Sequence, residues 1–335
     1  MTDVVNASKV DVPQEEQGDA GAFDALIERL SRQSVTKHFD AYVDVPWDDP
    51  DYQIDPTDPR WELSSDDPLG ATEWYRGLPQ PMRARLGLDL VASKMKIGLE
   101  FENVLKRGLL EFAATLPNRS PEFRYAYHEV IEEAQHSLMF QEFVNRSGFD
   151  AKGLGRLERL GARFIVTLGR RFPPLFFVFV LGGEDPIDYV QRRELRSGKT
   201  IHPLLERIMR IHVTEEARHL SFARHYLKHT VPSLGKLRRA QLAIGAPLVL
   251  GGMAQMMLLP SRQIVRRYHM PREVIDEAFR HNATHHAEAL ASMRKLRQLW
   301  VELGLTGSVY RRLWRLLGLW PGDERVGHEP AAFSR

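Results

Sequence analysis

From about residue 81 onward, apolar positions recur every three or four residues and strand-like alternation is scarce. The spacing predicts helices over about 81–115, 121–147, 153–170, 173–197, 201–230, 236–259, 271–299 and 308–318. Asn118-Arg119-Ser120-Pro121 supplies a helix start, with Ser120 as cap and Pro121 in the first turn. Ser147-Gly148-Phe149-Asp150 breaks the next connection. Short connections between long helices with apolar faces predict an all-α bundle with additional peripheral helices. Residues 40–80 are different, being rich in Asp, Pro and Trp. Each proline there removes a backbone donor and restricts the residue before it, so no long helix fits. This stretch is expected to be a non-helical N-terminal arm that wraps the core, with Trp47 and Trp61 as anchors. Residues 1–21 are acidic, lack both a basic start and an apolar run, and read as a disordered tail rather than a signal peptide. With no repeat or linker visible, residues 22–335 are expected to form one domain.

Composition narrows the function. Of 335 residues, 43% are hydrophobic and 27% charged, and the net charge is +2 with both signs intermixed. Nucleic acid is therefore not an expected partner. The absence of cysteine excludes disulfides, thiolate-held iron–sulfur clusters and cysteine nucleophiles. The longest apolar run, 243–260, is barely of spanning length and is interrupted by Gly245, Pro247, Gly251, Gly252 and Gln255. It reads as a buried helix, and a cytoplasmic protein is expected. Gly153-x-Gly155 lacks the third glycine and the strand of a dinucleotide site.

The chemistry lies in two Glu-x-x-His motifs, Glu133-Ala134-Gln135-His136 and Glu216-Ala217-Arg218-His219. Residues three apart share a helix face, so each pair can grip a metal from one side. His212 stands one turn before the second copy and extends it into a stripe of His212, Glu216 and His219. This is not the His-Glu-x-x-His order of zinc proteases. Helix bundles with two irons draw a Glu from each of two helices and Glu-x-x-His from each of the other two. The first long helix offers Glu102, on a mostly apolar stripe, with Glu100 on a more polar one as the substitute. A carboxylate on an apolar face needs a partner, which favours Glu102. The 173–197 helix offers Glu184, at the end of a very apolar run and shortly before Pro186; a simple helix terminus is the alternative. The candidate set is Glu102, Glu133, His136, Glu184, His212, Glu216 and His219, in a metal core of about residues 85–230. Glu129, Glu132 and His128 are expected to support the ligands or lie at the surface. Glu215 is expected to point outward or to support them, and Asp188 to orient a histidine. Carboxylates and imidazoles without thiolate suit two iron ions, with manganese possible.

Glu133-x-x-His136, His212-x-x-x-Glu216-x-x-His219 and Glu184 within Leu181-Gly182-Gly183-Glu184 resemble the p-aminobenzoate N-oxygenase (AurF-like) family of ferritin-like di-iron oxygenases. The resemblance implies a ferritin-like four-helix bundle in which those seven residues carry the metals. It also implies oxygen-dependent oxidation of a small-molecule substrate, an aryl amine, toward the hydroxylamine or nitro compound. Dioxygen and an external electron donor, a ferredoxin or reductase, are then the other partners, and a homodimer is expected. The alternatives are a non-enzymatic metal- or ligand-binding bundle and a di-metal hydrolase. The tail from Met293 to Trp320, basic and aromatic, is expected to pack on the bundle or a dimer mate rather than on a membrane.

Overall fold

The computed structural model describes residues 14–321, and the fold is helical throughout them. Its elements are α1 (Gln14–Thr36), α2 (Glu73–Arg76), α3 (Gln80–Ala113), α4 (Pro121–Ser147), α5 (Arg156–Arg171), α6 (Pro173–Arg196), α7 (Pro203–Thr230) and α8 (Lys236–Leu258). The shorter α9 (Arg262–Arg267), α10 (Arg272–Ile275), α11 (Ala283–Ser292), α12 (Arg294–Glu302) and α13 (Ser308–Leu316) follow. α3 and α4 form one helical hairpin and α6 and α7 another, with α5 carrying the chain between them. The two hairpins pack into the four-helix bundle of a ferritin-like fold, α4 against α7 and α3 against α6.

Local chemistry explains the boundaries. Pro121 starts α4 as expected, but the Ser120 hydroxyl donates to the Glu122 carboxylate and makes no backbone cap bond. Gly148 ends the same helix at φ +66°, a left-handed conformation that glycine adopts without strain. α6 runs on through Pro186 to Arg196, so Glu184 lies within the helix and not at its terminus. Two close approaches set the layers. A Cβ on Gly169 would sit 2.1 Å from the Gly108 carbonyl oxygen, which brings α5 directly against α3. A Cβ on Gly183 would sit 2.1 Å from the Phe101 ring, bringing α6 against α3.

The arm between α1 and α3 contains only short turns and the one-turn α2. Trp47 and Trp61 are 4% and 3% exposed and anchor it. The Trp61 ring stacks on His202 with centroids 4.3 Å apart, and Arg146 donates to the Trp47 carbonyl at 2.6 Å.

Two features differ from the sequence expectation. The segment read as a tail is partly helix: residues 1–13 lie outside the described residues, but α1 begins at Gln14. Its Phe23, Leu26, Ile27 and Leu30 form a buried stripe against α4 and α7. The single helix expected over 271–299 is broken by a π-helical turn (Asp276–Arg280) and by Asn282, whose side chain accepts from His285 N–H and caps α11. The C-terminal tryptophans pack on the bundle, as expected: Trp300, Trp314 and Trp320 are buried beside α6 and α8. Among the described residues no helix is long and apolar enough to cross a membrane.

The glycine contacts give a stability test. Gly169→Val should cost about 3 kcal/mol, because its Cβ meets backbone that has no room to yield. Gly161→Ala, with nothing within 4 Å of the added carbon, should stabilise by about 0.5–1 kcal/mol. Urea unfolding of both variants measures the two effects.

Candidate metal centre

The four bundle helices each turn ligand-type side chains to one point. α3 contributes Glu102, α4 Glu133 and His136, α6 Glu184, and α7 His212, Glu216 and His219. None of the seven is more than 1% exposed. Three clusters have ligand atoms within 4.8 Å of one another: Glu102/His136/His212, Glu133/His136/Glu216 and Glu184/His212/Glu216. His219 closes the set, with Nδ1 3.1 Å from both Glu133 Oε1 and Glu216 Oε1. Glu100, the substitute on α3, is half-buried and faces Gly153 at the entry to α5, away from the cluster.

The imidazoles are oriented from behind. His136 Nε2 lies 2.9 Å from Glu215 Oε2, and His219 Nε2 lies 2.7 Å from Glu132 Oε2. An ionised carboxylate only accepts, so both rings donate through Nε2 and turn the Nδ1 lone pair to the centre. His136 Nδ1 then stands 3.5 Å from Glu216 and 3.6 Å from Glu133. His212 is held the other way round: Nδ1 donates to Gln191 Oε1 at 2.9 Å and Nε2 faces Glu102 and Glu216 at 3.9 Å each.

These contacts reveal a reciprocal device. Both motifs read Glu-Glu-Ala-x-His, residues 132–136 on α4 and 215–219 on α7. The first glutamate of each helix holds the histidine of the other. Arg218 spans both supports, donating to Glu132 at 2.7 Å and to Glu215 at 3.5 Å. The arm reaches the same place, where Phe39 N–H donates to Glu215 at 3.2 Å and Ala41 N–H to Gln135 at 2.9 Å. On the opposite side Lys106 donates to Ser137, whose hydroxyl donates to Glu102 at 2.7 Å.

The sequence reading missed part of this. Of the two places expected for Glu215 it takes the supporting one, fully buried behind His136, because α1 and the arm cover its face of α7. Asp188 does not orient a histidine, since its carboxylate accepts from Arg192 at 2.6 Å. Gln191, one turn further on, takes that role. The doubled glutamate of the motifs was the legible signal for Glu132 and Glu215; nothing in the sequence singled out Gln191.

Charge and burial show what the residues fit. Burial pushes the carboxyls of Glu102 and Glu184 well above their usual range, and neighbouring carboxylates add to it. Glu216 is raised in the same way, and buried Glu129 reaches about 8. Burial also opposes ionisation of Glu132, but His219 and Arg218 outweigh it and bring Glu132 to about 2. The imidazolium of His136 is disfavoured by burial yet raised overall by Glu133 and Glu215. Glu102 Oε1, both oxygens of Glu133, His136 Nδ1, Glu184 Oε2 and Glu216 Oε2 are buried without a hydrogen-bond partner. Orphaned acceptors converging on one point fit cations, and two divalent ions would balance four carboxylates.

Comparison with known proteins agrees with this geometry. Residues 21–304 match the model of the family described as P-aminobenzoate N-oxygenase AurF. The chain is similar to the uncharacterized protein Rv0885 of Mycobacterium tuberculosis, 36% identical over 312 residues, or 93% of this chain and 92% of the relative. The uncharacterized protein Mb0909 of Mycobacterium bovis is similar to the same extent, 36% identical over 312 residues. No solved structure matches the chain significantly.

Two outcomes follow from the electrostatics. In the metal-free protein Glu102, Glu129, Glu184, Glu216, His136 and His219 all have raised affinity for protons, whereas burial lowers that of His212 and the neighbouring His136 and His219 lower that of Glu133, whose stabilising effect is lost only in strong acid. The native state therefore binds more protons than the unfolded chain above the ordinary carboxylate range, and stability falls as pH rises. The depressed Glu132 gives stability that is complete by pH 5 and lost only as pH falls toward about 2. The melting temperature of metal-free protein should thus drop between pH 5 and pH 8, and ferrous iron should raise it more at pH 8. Glu132→Gln and Glu215→Gln should each weaken metal binding by about 10–100-fold, read by competition with a chelator.

Proposed function

Since the chain belongs to the P-aminobenzoate N-oxygenase AurF family, we propose that it is a di-iron oxygenase whose reaction is the N-oxygenation of an aryl amine. One observation carries this reading: seven inward-facing ligands, four carboxylates and three imidazoles, meet between four helices with no thiolate among them. Hard-to-borderline donors of this kind suit iron, with manganese as the alternative. Glu102, Glu133, His136, Glu184, His212, Glu216 and His219 would hold the two ions, and bound iron would supply the binding of dioxygen and the change of oxidation state that no side chain here provides.

The chain's own residues do the rest. Glu132 and Glu215 keep the lone pairs of His219 and His136 aimed at the metals, and Gln191 does so for His212. Phe101, Phe140, Phe179 and Phe222 pack around the ligand helices and keep water from the centre. Lys106, through Ser137, fixes the Glu102 carboxylate and presents a cation beside it. Phe39, Asp40, Ala41, Gln135, Met139 and Ile211 close over His136 where the arm meets α4 and α7 and shield this side of the centre from water. Electrons come from outside, from a ferredoxin or reductase, since the chain has no cysteine to hold an iron–sulfur cluster of its own. A cytoplasmic homodimer completes the proposal.

The deciding experiment measures metal content, then mixes the reduced, iron-loaded protein with dioxygen and p-aminobenzoate. About two irons per chain, a transient optical absorption and a hydroxylamine or nitro product by mass spectrometry are expected. Zinc that supports full turnover would replace this reading by hydrolysis, and iron indifferent to dioxygen would replace it by metal storage or binding. His212→Ala should lower iron occupancy while leaving the helical circular dichroism unchanged; full iron and full activity would remove His212 from the ligand set.

A further inference from the structure

Among the described residues nothing packs on the outer face of α5. Its inner face, Leu168 and Gly169 with the half-buried Ala162, Ile165 and Val166, packs on the core. Outward it shows a row of large apolar side chains, Leu157, Leu160 and Phe164, which are 84%, 64% and 60% exposed. Beside that row runs another of arginines, Arg156, Arg159, Arg163 and Arg170, with Arg171 closing its end. Several other surface arginines are tied down, Arg83 to Glu62, Arg146 to Glu142, Arg193 to Glu288 and Arg210 to Glu206. No ion pair engages the five arginines of α5 among the described residues.

From this face we infer a docking surface for an acidic electron-donor protein of the iron–sulfur or flavin class. The inference rests on the oxygenase reading and names its reductant. Charge complementarity selects the partner, since unpaired guanidinium groups beside an apolar strip match carboxylates around an apolar contact. A second copy of the chain fits poorly, because a two-fold contact through α5 would set its arginines against one another. A helix lying in a membrane surface carries cations on both flanks of its apolar strip, whereas the far flank of α5, at the exposed Gly161, carries none. Sixteen residues of helix, ~24 Å long, suit the small, transient interfaces typical of electron transfer.

Position adds a second argument. The entry to α5 touches Glu100 through Gly153, and its end touches Gly108 through Gly169. α5 therefore covers α3 over the turns that carry Glu102, and two helix layers of ~10 Å each, α5 and α3, lie between a bound donor and the inner ligands. Each reduced one-electron donor gives one electron to one ferric ion, making it ferrous, so two donors are oxidised per pair of irons.

The test uses full-length, iron-loaded protein and an acidic [2Fe–2S] ferredoxin as probe. Binding should weaken as salt rises, and Arg159→Glu with Arg163→Glu should weaken it about tenfold or more. The same pair should slow iron reduction by reduced ferredoxin to a similar degree, yet leave iron content and reduction by dithionite unchanged. Leu160→Ser with Phe164→Ser should weaken binding without removing its salt dependence. Wild-type protein that does not bind the ferredoxin, or variants that bind it as well as wild type, would overturn the surface. So would loss of dimerisation, or loss of binding to phosphatidylglycerol vesicles, as the main effect of the substitutions. Iron that ferredoxin reduces through α5 but that ignores dioxygen would uphold the surface and sink the oxygenase reading alone.

Discussion

Glu102, Glu133, Glu184 and Glu216 direct their carboxylates at one another in the middle of the bundle, where almost no solvent reaches them. Carboxylates so arranged repel one another and lose their hydration, and the protein answers with protons or with metal. The raised carboxyl groups of Glu102, Glu184 and Glu216 and the raised imidazoles of His136 and His219 describe the first answer. The orphaned acceptor atoms describe the second. A cavity that holds protons only by distorting the affinities of so many groups is built for cations, and the surrounding helices supply the rigidity that keeps it from collapsing.

That rigidity is concentrated on the motif helices. Because Glu132 holds His219 and Glu215 holds His136, neither α4 nor α7 positions its own histidine alone. The ligand geometry is thereby a property of the interface between the hairpins. Arg218 compensates both supporting carboxylates at once and is itself buried, so it does for the outer ring what the metals do for the inner one. The two halves are alike but not equivalent. At the position of Arg218 the other motif carries Gln135, which ties the centre to the arm through Ala41 N–H and Asp40. One half is thus braced by charge and the other by the chain that covers the site.

The limits of the sequence follow from this arrangement. Periodicity within one helix revealed the ligand stripe of α7 and the apolar setting of Glu102, because those are properties of single helices. What it missed depends on contacts between helices. Glu215 lies off the ligand stripe, so an outward and a supporting place both stay open until α1 and the arm are laid over it. Asp188 and Gln191 share the Glu184 face of α6, and Arg192 alone decides that the amide and not the carboxylate meets His212. The apolar stripe of α1 from Phe23 to Leu30 lies just beyond the acidic 1–21 stretch read as a tail, and the helix it belongs to begins inside that stretch, at Gln14. The break in the 271–299 helix turns on Asn282 and a π turn, local devices that an apolar period does not report.

The two single-glutamate helices complete the centre in different ways. Glu102 is pinned: Ser137 holds one oxygen, Lys106 holds Ser137, and only Oε1 remains for a metal. Glu184 has no such tether; no hydrogen bond fixes its carboxylate among the described contacts, and Oε2 is buried without a partner. The difference begins in the backbone. α3 passes Glu102 as a regular helix, whereas Gly182 and Gly183 precede Glu184 and Pro186 follows it, so a backbone hydrogen bond is missing close by. An untethered carboxylate could adjust to a bound cation, while a pinned one preserves the framework. The bundle thus joins a rigid side, built on α3, α4 and α7, to one adaptable ligand on α6.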